Sequence, residues 1–212
     1  MTTVVIGGHS RNIGKTSVMA GLIRSVRPPD WAAVKITQYG HGVCSLDSEP
    51  CSCDPGEHAF VLNEERERSG RGDTRRFLQA GARRSLWLRV RHGQLSRAFP
   101  ALMRALAGEE WVMIESNSIL ELLDPALYLF VMDPAQNDFK ESAAKYLARA
   151  DGLVTLGHGA NSAHPWPQIN ADVLSGKRVF RLPALDDVSD ELAGFVRERL
   201  GLATAVRSWE GG

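Results

Sequence analysis

The chain has 212 residues, enough for one hydrophobic core and a better fit to one α/β domain than to two. Lys+Arg and Asp+Glu each number 25, so the formal net charge is zero and nothing global points to nucleic acid or an anionic membrane as partner. Hydrophobic residues make up 43%, ordinary for a globular protein, and no apolar run reaches transmembrane length.

Residues 2–6 are short, apolar and β-branched, and predict a buried strand. Met1 enters it directly, without a basic n-region, an apolar h-region or a cleavage site, so a cytoplasmic protein is expected. The three cysteines, Cys44, Cys51 and Cys53, are then expected to be reduced or metal-bound, not disulfide-paired. The strand runs into Gly7-Gly8-His9-Ser10-Arg11-Asn12-Ile13-Gly14-Lys15-Thr16-Ser17, and an amphipathic run over 18–26 follows. Strand, glycine-containing turn and helix together predict a phosphate-binding loop. Backbone N–H groups of Gly8 through Ser17 would cradle a polyphosphate, with the helix dipole favouring the anion. Lys15 would reach the β- and γ-phosphates, and the Thr16 hydroxyl would ligate Mg²⁺. The spacing is off by one: the usual pattern has four residues between its first glycine and Gly-Lys-[Ser/Thr], which puts His9 at the glycine position and Gly8 one place early. The plain alternative is that Gly14 and Lys15 merely open a helix.

Arg27-Pro28-Pro29-Asp30 breaks the pattern, and residues 31–36 read as a second buried strand. Residues 40–72 are rich in Gly, Pro, Asp, Glu, Ser and Cys, with one short apolar patch at 59–62, and predict a long irregular insertion. Asp73 reads as a helix cap and Gly81 as the stop. Strands are expected at 85–90, 111–114, 127–132, 152–156 and 178–182, and helices at 95–106, 139–148 and 189–200, with a short turn or helix at 119–123. Residues 157–170 read as a loop carrying His158, Asn161, His164 and Trp166, and 203–212 as a frayed tail. Alternating elements with continuous apolar strands predict one domain over 1–202. Its fold class is α/β: a doubly wound, mainly parallel sheet with helices on both faces.

Ligands of such sheets bind at the carboxyl ends of strands, so the polar strand ends carry the functional argument. Lys35 sits in an otherwise apolar strand, either snorkelling or placed beside a phosphate or an acidic substrate. Glu115 follows Val-Met-Ile and could hold Mg²⁺ or orient the attacking group, or simply cap the next segment. Asp73 could be a second carboxylate on the Mg²⁺ side, or only a cap. Asp133 starts Asp-Pro and reads as a turn. His41, Cys44, Cys51, Cys53 and His58 could supply a tetrahedral zinc site, although the spacing is not a standard zinc pattern, and a loop with reduced thiols is the alternative.

The extended glycine loop, the lysine in the second strand and the Glu ending Val-Met-Ile resemble the SIMIBI class of P-loop NTPases. Within it, Lys35-Ile36-Thr37-Gln38-Tyr39-Gly40-His41 and Asp73-Thr74-Arg75-Arg76-Phe77-Leu78-Gln79-Ala80-Gly81-Ala82 are similar to stretches of the MobB-type adaptor of molybdopterin-guanine dinucleotide biosynthesis. Dethiobiotin synthetase is a second relative: its loop has the same five residues between glycine and Gly-Lys-Thr, and its second strand ends like Lys35 to Gly40. Ser116 stands where these relatives have a glycine, and no Asn-Lys-x-Asp guanine signature is evident. The resemblance implies GTP or ATP with Mg²⁺ as cofactors, Lys15, Lys35 and Glu115 as catalytic groups, slow hydrolysis and a homodimer. It also implies a cofactor-biosynthesis enzyme as partner. The alternatives are an ATP-dependent small-molecule ligase or kinase, and a metal-binding protein whose loop no longer takes nucleotide.

Overall fold

A computed structural model of the chain describes residues 1–27, 29–39, 58–156, 166, 169–184 and 187–202. The apolar runs pair as expected of strands buried on both faces. β1 (Thr2–Gly8), β2 (Ala32–Tyr39), β3 (Phe60–Glu65), β4 (Arg84–Arg91), β5 (Trp111–Glu115), β6 (Leu127–Met132), β7 (Gly152–Leu156) and β8 (Arg178–Leu182) form one sheet. Its order is β3-β4-β2-β5-β1-β6-β7-β8, and every pairing is parallel except that of β3 with β4. The helices are α1 (Lys15–Ser25), α2 (Asp73–Ala80), α3 (Leu95–Ala105), α4 (Glu141–Leu147), α5 (Ala171–Leu174) and α6 (Asp190–Arg199), with a 3₁₀ turn at Ser118–Glu121.

Alternation along the strands builds two cores. Val4, Ile6, Ala33, Met113 and Leu129 face one side, where they meet Val18, Leu22 and Ile23 of α1, Phe77 of α2 and Leu192 of α6. Val5, Val34, Leu88, Ile114 and Phe130 face the other, against Ala98 and Leu102 of α3 and Ala143 and Leu147 of α4. Burying one such Leu or Ile side chain stabilises the fold by about 2 kcal/mol, so the two cores hold the sheet in register from both sides. The fold is the doubly wound α/β architecture expected from the alternating elements. No helix among the described residues is long and apolar enough to cross a membrane.

Two expectations change. The stretch 40–72 is not irregular throughout, because Phe60–Glu65 is a strand, antiparallel to β4 with Phe60 opposite Val90 and Glu65 opposite Ser85. Its only clear sequence signal was the short apolar patch, and pairing with β4 supplies what the local pattern lacks. The short helix α5 follows the predicted loop in a stretch where no element was expected.

Candidate functional site

Because β1, β2, β5 and β6 run parallel, their carboxyl ends share one edge of the sheet. The glycine loop leaves β1 there. The Gly8 N–H donates to Asn117 Oδ1 at 2.9 Å, and Asn117 Nδ2 donates back to the Gly8 carbonyl at 2.8 Å. A Cβ at position 8 would lie 2.6 Å from Ile13 Cδ1 and 2.9 Å from the Val131 carbonyl, so any side chain there would collide with the loop and with β6. Asn12 has φ 54° and Gly14 φ 87°, both left-handed, and Gly14 caps α1. The first turn of α1 carries no acidic residue and no side-chain cap, so its positive end opens toward the cavity.

That cavity has a volume of about 940 Å³, the size of a small-molecule site. Ser10, Arg11, Asn12, Lys15 and Thr16 line it on the loop side. Lys15 folds back to donate from Nζ to the Ser10 carbonyl. Burial pushes its ammonium down to about 8, against the opposing pull of Glu115. The Thr16 hydroxyl donates to Glu115 Oε2 at 2.7 Å. Lys35 Nζ lies 3.0 Å from Glu115 Oε1 and 2.6 Å from Asp73 Oδ2. Burial works against the Lys35 charge, but Glu115 and Asp73 outweigh it and raise its pKa. Sheet register explains the meeting. Lys35 is opposite Glu115, which is opposite Ile6, and period two turns all three toward the α1 face. Arg76 of α2 reaches across to Ser17 Oγ at 2.6 Å, tying α2 to the helix that follows the loop.

The structure therefore brings together Gly8, Ser10, Arg11, Asn12, Gly14, Lys15, Thr16, Ser17, Lys35, Asp73 and Glu115 around one cavity. Asp73 does so differently from the expectation of a cap. Gly72, with φ 138°, holds the N-cap position, and Asp73 is the first helical residue with its carboxylate on Lys35. A φ of 138° is one that residues with a Cβ rarely adopt, which accounts for glycine at position 72. Asp133 makes the expected turn, accepting from the Ala135 N–H at 3.0 Å.

One loop residue is corrected. His9 is fully buried and faces away from the cavity. Its Nε2 accepts from the Asp133 N–H at 3.0 Å, which leaves the proton on Nδ1, and Nδ1 donates to the Asp138 carbonyl at 2.7 Å. Its ring packs 5.3 Å from that of Phe139 and 4.9 Å from that of Trp166. Its backbone N–H goes to the Val131 carbonyl, so it offers a ligand neither side chain nor amide. Burial lowers its pKa, more than Asp133 and Asp138 raise it. The Ile13 side chain is in the core on the α1 side, which leaves only its backbone for a ligand, as expected of the loop. Sequence reasoning missed Asn117 and Lys140, the second of which lines the cavity from the β6 side. Asn117 lies two residues past Glu115, a short polar side chain at a strand end, and that was its only signal.

The hard oxygen donors Thr16 Oγ1 and Glu115, with Asp73 nearby, fit a magnesium ion, which takes one or two carboxylates and otherwise water or phosphate oxygens. Of the zinc candidates, His41, Cys44, Cys51 and Cys53 lie outside the described residues, as do His158, Asn161 and His164. His58 is exposed, and its carbonyl accepts from the Tyr39 hydroxyl at 2.7 Å. Among the described residues no group of three or more His, Cys, Asp or Glu could hold a metal. No protein-family profile matches the chain, and no curated protein matches it.

Proposed function

We propose that the protein binds a nucleoside triphosphate, GTP or ATP, with Mg²⁺, and acts as a slow-hydrolysing switch or adaptor in cofactor biosynthesis of the molybdopterin type. The observation that carries the nucleotide reading is the Thr16–Glu115 hydrogen bond beside the start of α1, which has no side-chain cap. A hydroxyl at the second helical residue, bonded to a carboxylate from a neighbouring strand end, is the arrangement that holds Mg²⁺ next to loop-bound phosphates. Bound there, the ion would supply charge neutralisation on the phosphate oxygens. The chain's own residues do the rest. Loop amides and the α1 dipole hold the α- and β-phosphates, and Lys15 swings from Ser10 onto the β–γ region. Lys35 stays on Glu115 and Asp73 and fixes both carboxylates. The adaptor role, the enzyme partner and a homodimer rest on the resemblance of 35–41 and 73–82, the second of which forms the helix α2 that carries Asp73 to the site.

A second reading, an ATP-dependent ligase or kinase, is favoured by one feature. The cavity continues past the loop to Gln38, His92 and Ser96 at the start of α3, leaving room for a second substrate. Nucleotide release with and without an added carboxylate or amine separates the two: turnover that appears only with the second substrate favours the ligase.

Thermal unfolding with Mg²⁺ and ATP or GTP tests the proposal. Ligand at a hundredfold excess over Kd adds about 2.7 kcal/mol, or about 5–10 °C for a chain of this size. Lys15→Ala should abolish the shift. A wild-type protein that shifts with neither nucleotide rules out both readings.

A further inference from the structure

The cavity carries charge on both sides of β1, and Glu121 and Glu141 line it as well. On the β5 and β2 flank lie the carboxylates Glu115 and Asp73, compensated by Lys35. On the β6 flank lie two cations, Arg11 and Lys140, and neither forms an ion pair among the described residues. The backbone at Lys140 is held at the loop. The segment joining β6 to α4 is folded onto the glycine loop by a set of hydrogen bonds. Asp133 N–H and the Asp138 carbonyl hold the two nitrogens of His9. The Ser10 hydroxyl donates to the Asp138 carboxylate. The Lys140 N–H donates to the His9 carbonyl at 3.0 Å. Phe139 stacks on the His9 ring, so the backbone on both sides of Lys140 is fixed against the loop.

Three cations, Arg11, Lys15 and Lys140, thus converge on one partly enclosed space. They repel: burial and then Arg11 lower the Lys140 pKa, with Asp138 opposing, and Lys140 and Arg11 both act against the Lys15 charge. Such a cluster costs the folded protein stability unless an anion comes to it. In a phosphate loop the backbone amides take the α- and β-phosphates and the loop lysine bridges toward the γ-phosphate. The outer oxygens of the terminal group, the most highly charged part of such a ligand, can take a further cation beyond the loop lysine.

We propose that Arg11 and Lys140 form a second anion clamp that holds the terminal phosphoryl group, so that the site discriminates nucleoside triphosphate from diphosphate. The inference rests on the nucleotide-binding reading. It adds to that reading a specificity determinant lying on the flank opposite the magnesium-side carboxylates. The clamp also gives the β6–α4 segment a role: occupancy of the γ position is felt by Lys140, and through His9 and Ser10 by the whole connection.

Equilibrium binding of ATP, ADP, GTP and GDP with Mg²⁺ tests it, in the wild type and in Lys140→Gln, Arg11→Ala and Lys15→Ala. Lys140→Gln should weaken triphosphate binding about tenfold or more while changing diphosphate binding by less than about twofold, the loss of one charge-assisted contact. Arg11→Ala should act in the same direction, and Lys140→Arg should keep the preference. An unchanged melting temperature without ligand shows that the variants fold. Lys140→Gln that binds tri- and diphosphate like the wild type, or weakens both equally, overturns the clamp. If Lys15→Ala still abolishes binding in that case, the nucleotide reading stands. A wild type that binds none of the four nucleotides overturns both.

Discussion

Lys35 Nζ lies within hydrogen-bonding distance of Asp73 and Glu115, and Glu115 in turn accepts from Thr16. The Glu115 side chain is only 7% exposed, whereas that of Asp73 is 34% exposed. The two carboxylates therefore depend on Lys35 to different degrees. Glu115 has little water to fall back on, so removal of the cation leaves a nearly buried charge uncompensated. Lys35→Met is expected to destabilise the protein by about 3 kcal/mol, the scale for breaking one side of a buried pair. Adding Glu115→Gln to it should restore much of that loss, because the neutral amide no longer needs the ammonium. Urea unfolding of the two single variants and the double variant measures the coupling. Additive losses would show that Lys35 packs its stem there and does not balance Glu115.

At the scale of elements, the glycine loop is not held by its own residues alone. Asn117, from the turn after β5, occupies both backbone groups of Gly8 and accepts from the Tyr128 hydroxyl of β6 at 3.3 Å. One side chain thus bridges β5, β1 and β6 at the edge where the ligand is expected. Asn117→Ala leaves the Gly8 N–H and carbonyl without partners and should cost about 2 kcal/mol. Asn117→Asp keeps the acceptor but loses the donor, and should cost about half as much. Thermal unfolding ranks the two, and an alanine variant as stable as the wild type would remove Asn117 from the loop's support. None of this was legible in the sequence, since Asn117 and Gly8 are 109 residues apart and meet only because β5 inserts between β1 and β2. The strands themselves were legible, because strands of a parallel sheet are buried on both faces and read as unbroken apolar runs. β3 was not, because an antiparallel edge strand with Asn63, Glu64 and Glu65 in half its length has no such run. Lys35 and Glu115 could be read because a charge at the end of an apolar strand has few reasons to be there. Lys140 could not, because it is a backbone hydrogen bond to His9, far off in the chain, that places it at the loop.

At the scale of the molecule, His9 is where the loop is fastened to the half of the sheet beyond β1. The motif places it among phosphate contacts, but its surroundings come from Phe139, Asp133, Asp138 and Trp166, far along the chain. Those partners make it a pH-sensitive fastening. Nε2 is an acceptor for the Asp133 N–H, so protonation there would set a donor against a donor. Burial holds the His9 pKa below the ordinary 6.5, against the milder pull of Asp133 and Asp138, while Lys15 lowers it further. In the unfolded chain the same imidazole titrates normally. Between the unfolded and folded pKa values the unfolded state binds more protons, so stability falls as pH falls through that window. Above about pH 6.5 the contribution is complete and flat. On acidification it is lost at up to about 1.4 kcal/mol per pH unit, until the folded pKa is passed. Urea unfolding of the wild type and His9→Gln across pH 5 to 8 isolates this share, because the carboxylates titrate in both proteins (about pH 4). Glutamine can still accept from Asp133 but cannot be protonated. His9→Gln should start lower at pH 8 and lose less on the way to pH 5, so that the two curves converge. Curves that stay parallel would mean that the proton reaches His9 as easily in the folded protein as in the unfolded one, and that the fastening does not depend on its charge.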